Sequence, residues 1–398
     1  MRTVSVRSRR QAAVRRHHLS GDAGTPEQVT GSLVALHATD PASVYLSMLA
    51  RSRTTTRADV SAALYDRRRL VRWMAMRRTV FVLARDDVPM VQSAVSTPLA
   101  GTLRRRLVSR LARNGSEPRL DGDPADWLAQ LEQRVEAALA RRGSATGAQL
   151  RADEPGLAVR LLPGAPSDRP ELATTSVLTL MSAAGRIVRG APTGPWTSRH
   201  SRWEPVADWW SEGIPAMPEV DAQRDLARRW LARFGPARVE DLRWWTGWTA
   251  TTTARALDRL RLEPVDLHGA DGIALADEEA DEEPGGRDDP EPVATLLPAL
   301  DPTPMGWHAR DWLFGIDPGA VFDRAGNIGP TLWWDGEIVG SWAVTGRGEV
   351  RVAQLADRGR AATDAVRHAA GVLEQRLDGA TVTPAVRTPL ERSLVEGA

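Results

Sequence analysis

The sequence predicts an α+β fold of tandem winged-helix units followed by a small C-terminal β-barrel-like domain with a terminal helix. Three observations lead there. A run of helical stretches ending in a two-stranded ribbon, basic in the first unit, recurs about three times before residue 277. A strand-rich segment follows a strongly acidic run. At 398 residues the chain is too long for one ordinary core, so several modules are expected.

The first unit spans residues 1–110 and includes a basic N-terminal arm and a trailing helix. Thr25-Pro26-Glu27-Gln28 reads as an N-cap, a first-turn proline and a capping box. Val29, Leu33 and Leu36 follow on one helical face, which carries that helix to the edge of "LHATDPASVYLSMLAR" (36–51). Asp40-Pro41 opens a second helix and Thr56 a third. "RLVRWMAMRRTVFVLAR" then gives two strands turning near Met76-Arg77-Arg78.

The second unit covers 111–218 and the third 219–277. "GSATGAQL" (143–150) resembles "GPARVEDL" (235–242), and each follows a long amphipathic stretch. The second ribbon is "GRIVRGAPTGPWTSRHSRW" (185–203). The third is "LEPVDLHGADGIALAD" (262–277). Residues 278–291 form an acidic loop. In 292–398, "PVATLLPAL", the Asp335-Gly336 hairpin and "GEVRVAQLA" supply strands. An amphipathic helix over 359–378 turns Ala362, Ala365, Val366, Ala369, Val372, Leu373 and Leu377 inward.

Composition narrows the chemistry. There is no cysteine, which excludes disulfides, thiolate metal sites and cysteine nucleophiles. All 52 basic residues are Arg. Residues 1–110 hold 20 Arg against 7 acidic residues, a net of +13, whereas 277–291 hold 9 acidic residues and one Arg. A basic N-terminal third fits a polyanion partner or a solvated Arg-rich surface. No secretory leader and no membrane-spanning run of apolar residues is visible, so a cytoplasmic protein is expected. Phosphate-binding loops, metal motifs and nucleophile elbows are absent, so neither cofactor nor metal is expected.

Several segments together resemble the bacterial winged-helix DNA-binding family that contains the AlkZ/YcaQ-like DNA glycosylases. They are "LHATDPASVYLSMLAR", "MRRTVFVLAR", "GRIVRGAPTGPWTSRHSRW", "WLARFGPARVEDLRWWTGW", "LLPALDPTPMGWHARDW" and "FDRAGNIGPTLWWDGEIVGSW". The resemblance runs from about residue 25 to about residue 392. It implies tandem winged helices and a barrel-like domain around a DNA channel, and cofactor-independent excision of bulky alkylated purines. Its catalytic motif is Gln-apolar-Gln or Gln-apolar-Asp. Here His37-Ala38-Thr39 stands at those positions, with other residues at both polar places.

The residues set their own expectations. His37 is able to orient or deprotonate a water, Thr39 to share it, and Asp40 to supply a carboxylate or simply to cap the helix it precedes. DNA contacts are expected from Arg51, from Arg77 and Arg78 at the ribbon tip, and from Arg186, Arg189, Trp196, Arg199 and Arg202 in the second ribbon. Trp307 and Arg310 are expected on a loop lining the channel. Each cationic cluster has a plainer reading as a solvated surface, and "DLRWWTGW" (241–248) reads as core. The partner expected is damaged or alkylated double-stranded DNA bound by a monomer. A non-catalytic regulator or DNA shield, or a binder of a genotoxic small molecule, remains an alternative.

Overall fold

The computed structural model describes residues 1–164, 171–277, 291–384 and 387–396. Most of the acidic loop, 278–290, lies outside the described residues. Three times, helices precede a hairpin. Helices Pro26–Ser32, Pro41–Arg51 and Arg57–Ser61 precede strands Leu70–Ala75 and Thr79–Ala84. Helices Pro124–Arg142, Gly147–Asp153 and Ala173–Ala183 precede Ile187–Pro192 and Ser201–Pro205. Helices Glu219–Phe234, Val239–Thr246 and Ala250–Leu257 precede Leu262–Asp266 and Asp271–Leu275.

Local chemistry explains the starts. Thr25, Asp40, Thr56 and Thr146 each accept a hydrogen bond from a first-turn N–H, satisfying a donor the helix leaves open. The two similar segments do open equivalent helices, at Gly147 and Val239.

The hairpins do not stand alone. The first and second merge, through antiparallel pairing of Arg72 with Arg189, into one five-stranded sheet that also takes up Leu36–His37. The third hairpin gains the N-terminal strand Arg2–Thr3 as a parallel partner. The basic arm is thus tied down: Arg2 pairs with Glu263, Arg10 with Glu337, and Arg16 bonds the Gly235 carbonyl.

Two expectations are corrected here. The helix from Pro26 stops at Ser32, because Val34 takes a left-handed φ of 62° that no helix accommodates. Leu36 and His37 then form a short strand, not a helix end. The C-terminal sheet, Ala294–Leu297, Thr331–Trp334, Glu337–Val344 and Val350–Gln354, runs in that order and is open rather than barrel-like. Helix Gly359–Leu377 packs against its two outer strands and buries Ala370, while Val372, expected inward, is 39% exposed. Asp335 and Gly336 both adopt left-handed φ, the geometry a two-residue hairpin turn requires. No helix among the described residues is long and apolar enough to cross a membrane.

A buried polar latch joins the first repeat to the C-terminal region. Arg51 and Asp301, both fully buried, form a two-pronged ion pair at 2.7 and 2.8 Å. Arg51 also donates to Thr303, whose hydroxyl meets His17 Nδ1, and His17 Nε2 reaches the Arg233 carbonyl. Burial, reinforced by the Arg51 charge, lowers the His17 pKa to about 3. Unfolded histidine titrates near 6.5, so below that pH the unfolded chain takes up a proton that the folded chain excludes. Stability is therefore expected to fall as pH drops from about 6.5 toward 3. A urea midpoint unchanged between pH 7 and pH 5 would contradict this.

Candidate active site

The strand Leu36–His37 gives way to a bend at Thr39 and Asp40. Across "LHATD", Leu36, Ala38 and Asp40 are buried, His37 is half-buried and Thr39 is exposed. The Ala38 N–H still donates to the Val80 carbonyl, which holds the segment to the first hairpin. Of these five residues, His37 and Thr39 are the two whose side chains reach the surface. Asp40 turns inward and its carboxylate accepts from the Ala42 N–H at 3.1 Å, the capping role.

His37 lies edge-on to Phe81, its partner in the strand register, with ring centroids 5.4 Å apart. Its Nδ1 is buried without a partner, so Nε2 is the outward nitrogen. Burial, with a smaller contribution from the Arg77 charge, lowers its pKa to about 4. At neutral pH the ring is uncharged and a weak base, suited to orienting a water rather than deprotonating it. No carboxylate acts on it among the described residues.

Arg77 brings the hairpin tip to this place. Arg77 and Arg78 both sit in left-handed backbone, with φ of 51° and 60°. Each such residue costs on the order of 1–3 kcal/mol unless its surroundings hold it. Here the Arg77 guanidinium lies 4.2 Å over the Trp244 ring. Arg310 reaches the same ring at 5.6 Å and Phe322 at 5.0 Å. Asp241, fully buried, accepts from the His308 and Ala309 N–H groups at 2.9 Å and so fixes the loop carrying Arg310. His37, Arg77, Trp244 and Arg310 therefore form one basic, aromatic neighbourhood built from three parts of the chain.

Gly247 ends the Trp244 helix in left-handed geometry, and a Cβ there would stand 3.2 Å from Arg77 Cγ. Gly247→Ala is expected to cost about 1–2 kcal/mol in folding stability and to displace Arg77. A melting temperature equal to wild type would contradict that placement.

Other expected contacts fall elsewhere. Arg51 is fully buried and locked in the ion pair with Asp301. Arg186 is held by Glu132 and Glu136 of helix Pro124–Arg142. Trp307 is buried against His17, Phe234 and Trp312 and donates to the Phe234 carbonyl. Arg51 and Trp307 are buried, while the Arg186 side chain stays partly exposed. Arg189 lies over Trp203 at 4.5 Å and is half-buried. Trp196 packs on Tyr45, with Arg57 over its ring. Arg199 is exposed and bonds the Thr383 carbonyl, and Arg202 is half-buried on the same hairpin.

Two residues escaped the sequence reading. Trp244 packs partly against the core, as expected of its run, but its stacking under Arg77 and near Arg310 gave no sequence signal. Arg72 sits inside an apolar strand and gave no signal beyond its charge. No group of metal-binding side chains occurs among the described residues.

The family model for the DNA glycosylase AlkZ-like proteins matches residues 30–376. No curated protein matches the chain. Among solved structures, the Streptomyces sahachiroi DNA glycosylase AlkZ is similar at 20% identity, with a TM-score of 0.72 over 96% of this chain and 99% of that one. At that identity the likeness is one of fold.

Proposed function

The chain belongs to the DNA glycosylase AlkZ-like family, and on that premise we propose that it is a DNA repair glycosylase hydrolysing the N-glycosidic bond of bulky alkylated purines. The observation that carries this is that His37 and Thr39 both reach the surface, with Arg77, which stacks on Trp244 near Arg310, acting on His37. A water held by His37 Nε2 and the Thr39 hydroxyl attacks the sugar C1′. The bond from C1′ to the purine breaks, the alkylated base leaves neutral because it started cationic, and the water's proton passes to solvent. The transition state resembles an oxocarbenium ion. Neutral His37 adds no repelling charge to it.

The arginines Arg77, Arg78 and Arg310 serve the DNA backbone in this reading, and Trp244 is the stacking platform that keeps two of them in place. Each phosphate contact releases counterions, with a slope of log affinity against log salt of about −0.9 per contact. Arg78→Ala is expected to reduce the magnitude of that slope by about one. An unchanged slope would remove Arg78 from the interface.

Incubation with duplex DNA carrying a bulky N7-alkylguanine, followed by quantification of free base, tests the reading. Base release supports it, and no release across several bulky adducts overturns the enzyme. One observation favours a second reading, a protein that binds or shields DNA without cutting it. The charge acting on His37 is a cation, where an oxocarbenium sugar gains from an anion. Tight binding of adducted duplex without release would select that reading.

A further inference from the structure

A single row of side chains crosses the five-stranded sheet. The strand registers place Leu36 opposite Val82, Val82 opposite Arg72, Arg72 opposite Arg189, and Arg189 opposite Trp203. Directly opposed antiparallel residues project to the same face, with Cβ atoms about 4.5–5.5 Å apart. The row is apolar at both ends and doubly cationic in its middle, at the seam where the first and second hairpins join.

Neither arginine takes part in an ion pair among the described residues. Arg72 is only 5% exposed, and its Nε and one terminal nitrogen are buried without an acceptor. Arg189 Nε is likewise buried and unpartnered. What Arg72 does touch is weak or neutral: the Ala38 carbonyl at 3.4 Å and the Tyr65 hydroxyl. Burial and the neighbouring Arg72 charge lower the Arg189 pKa to about 10, which still leaves it charged at neutral pH. Like charges opposed in a sheet destabilise it, and unpaired buried donors carry their full desolvation cost. An anion between the two guanidiniums removes both penalties. Planar guanidinium forks match phosphate oxygens in pairs.

We infer that Arg72 and Arg189 form a phosphate seat on the Leu36 face of the sheet, the face opposite to His37, occupied in the DNA complex by one backbone phosphodiester. Arg189, half-buried, is the open side of the seat, and Arg72 is its floor. The DNA occupant rests on the functional reading above, while the seat itself does not.

The test neutralises the DNA rather than the protein. A single methylphosphonate is moved through the strand around the adduct, and the dissociation constant is measured at fixed salt. For the wild type, one position is expected to weaken binding about tenfold, the size of one charge-assisted contact. In Arg189→Gln and in Arg72→Met that position is expected to lose its effect. Arg72→Met is also expected not to lower the melting temperature, since an apolar isostere replaces an unpaired buried cation. Identical phosphonate profiles in the wild type and both variants overturn the seat.

A second arm separates this from failure of the DNA reading. Inorganic phosphate, compared with chloride at matched ionic strength, is expected to raise the melting temperature of the wild type and not of Arg189→Gln. If the protein bound no DNA, the phosphodiester occupant would fall with the functional reading. This arm would then decide the seat, and an equal phosphate response in both proteins overturns it.

Discussion

Arg51→Ala is expected to cost about 3–5 kcal/mol of folding stability, because it leaves the Asp301 carboxylate charged and fully buried. Asp301→Ala should cost a similar amount by stranding Arg51. Asp301 also accepts from Ser47 and from the Thr303 N–H, so its loss frees two further donors. The paired replacement Arg51→Met with Asp301→Leu should recover most of the loss, since buried ion pairs replaced by apolar residues of like volume are often neutral. Chemical denaturation of the four proteins measures the effect. Two single variants within 1 kcal/mol of the wild type would mean that water screens the pair.

His37→Ala is expected to slow base release about 100-fold or more while leaving DNA binding nearly intact, the loss typical of removing a group that orients the attacking water. The acid limb follows from the titration of His37. With its pKa lowered to about 4, Nε2 stays an acceptor throughout the neutral range, so activity should be flat from about pH 8 to pH 6 and decline toward pH 4. His37→Gln restores the amide found in the related glycosylases, and it is expected to keep activity while losing that limb. A wild-type rate that halved near pH 6.5 would instead mean that His37 titrates as an ordinary exposed histidine.

How much of this was legible in the chain depends on the kind of signal. Caps and turns were readable because their cause is local: Thr25, Asp40 and Thr56 each satisfy an N–H two or three residues away. Asp335-Gly336 needs only two left-handed residues in succession. The strand at Leu36–His37 was not readable. Val29, Leu33 and Leu36 fit a helical face, and only the left-handed turn at Val34 and the long-range pairing with Val82 and Phe81 override it. That single change leaves His37 half-buried and Thr39 exposed, while Leu36 and Ala38 are buried.

The arginines show the other limit. Charge in a sequence says nothing about whether a guanidinium meets water, a carboxylate or another arginine. Arg51 and Arg186 found carboxylates, Arg77 and Arg310 found one indole, and Arg72 found Arg189. Such partners lie tens to hundreds of residues apart, beyond any local pattern. The expected barrel failed for a similar reason. Alternating strands announce a sheet, but whether its edges meet depends on what covers them, here helix Gly359–Leu377.

The most direct measurement is single-turnover release of an N7-alkylguanine base from duplex DNA, at saturating protein, for the wild type and His37→Ala. Binding is followed in the same reactions. The account predicts release by the wild type, a fall of about 100-fold or more in the variant, and dissociation constants within about twofold. Equal release by the two proteins, or none by either across bulky adducts, would contradict it.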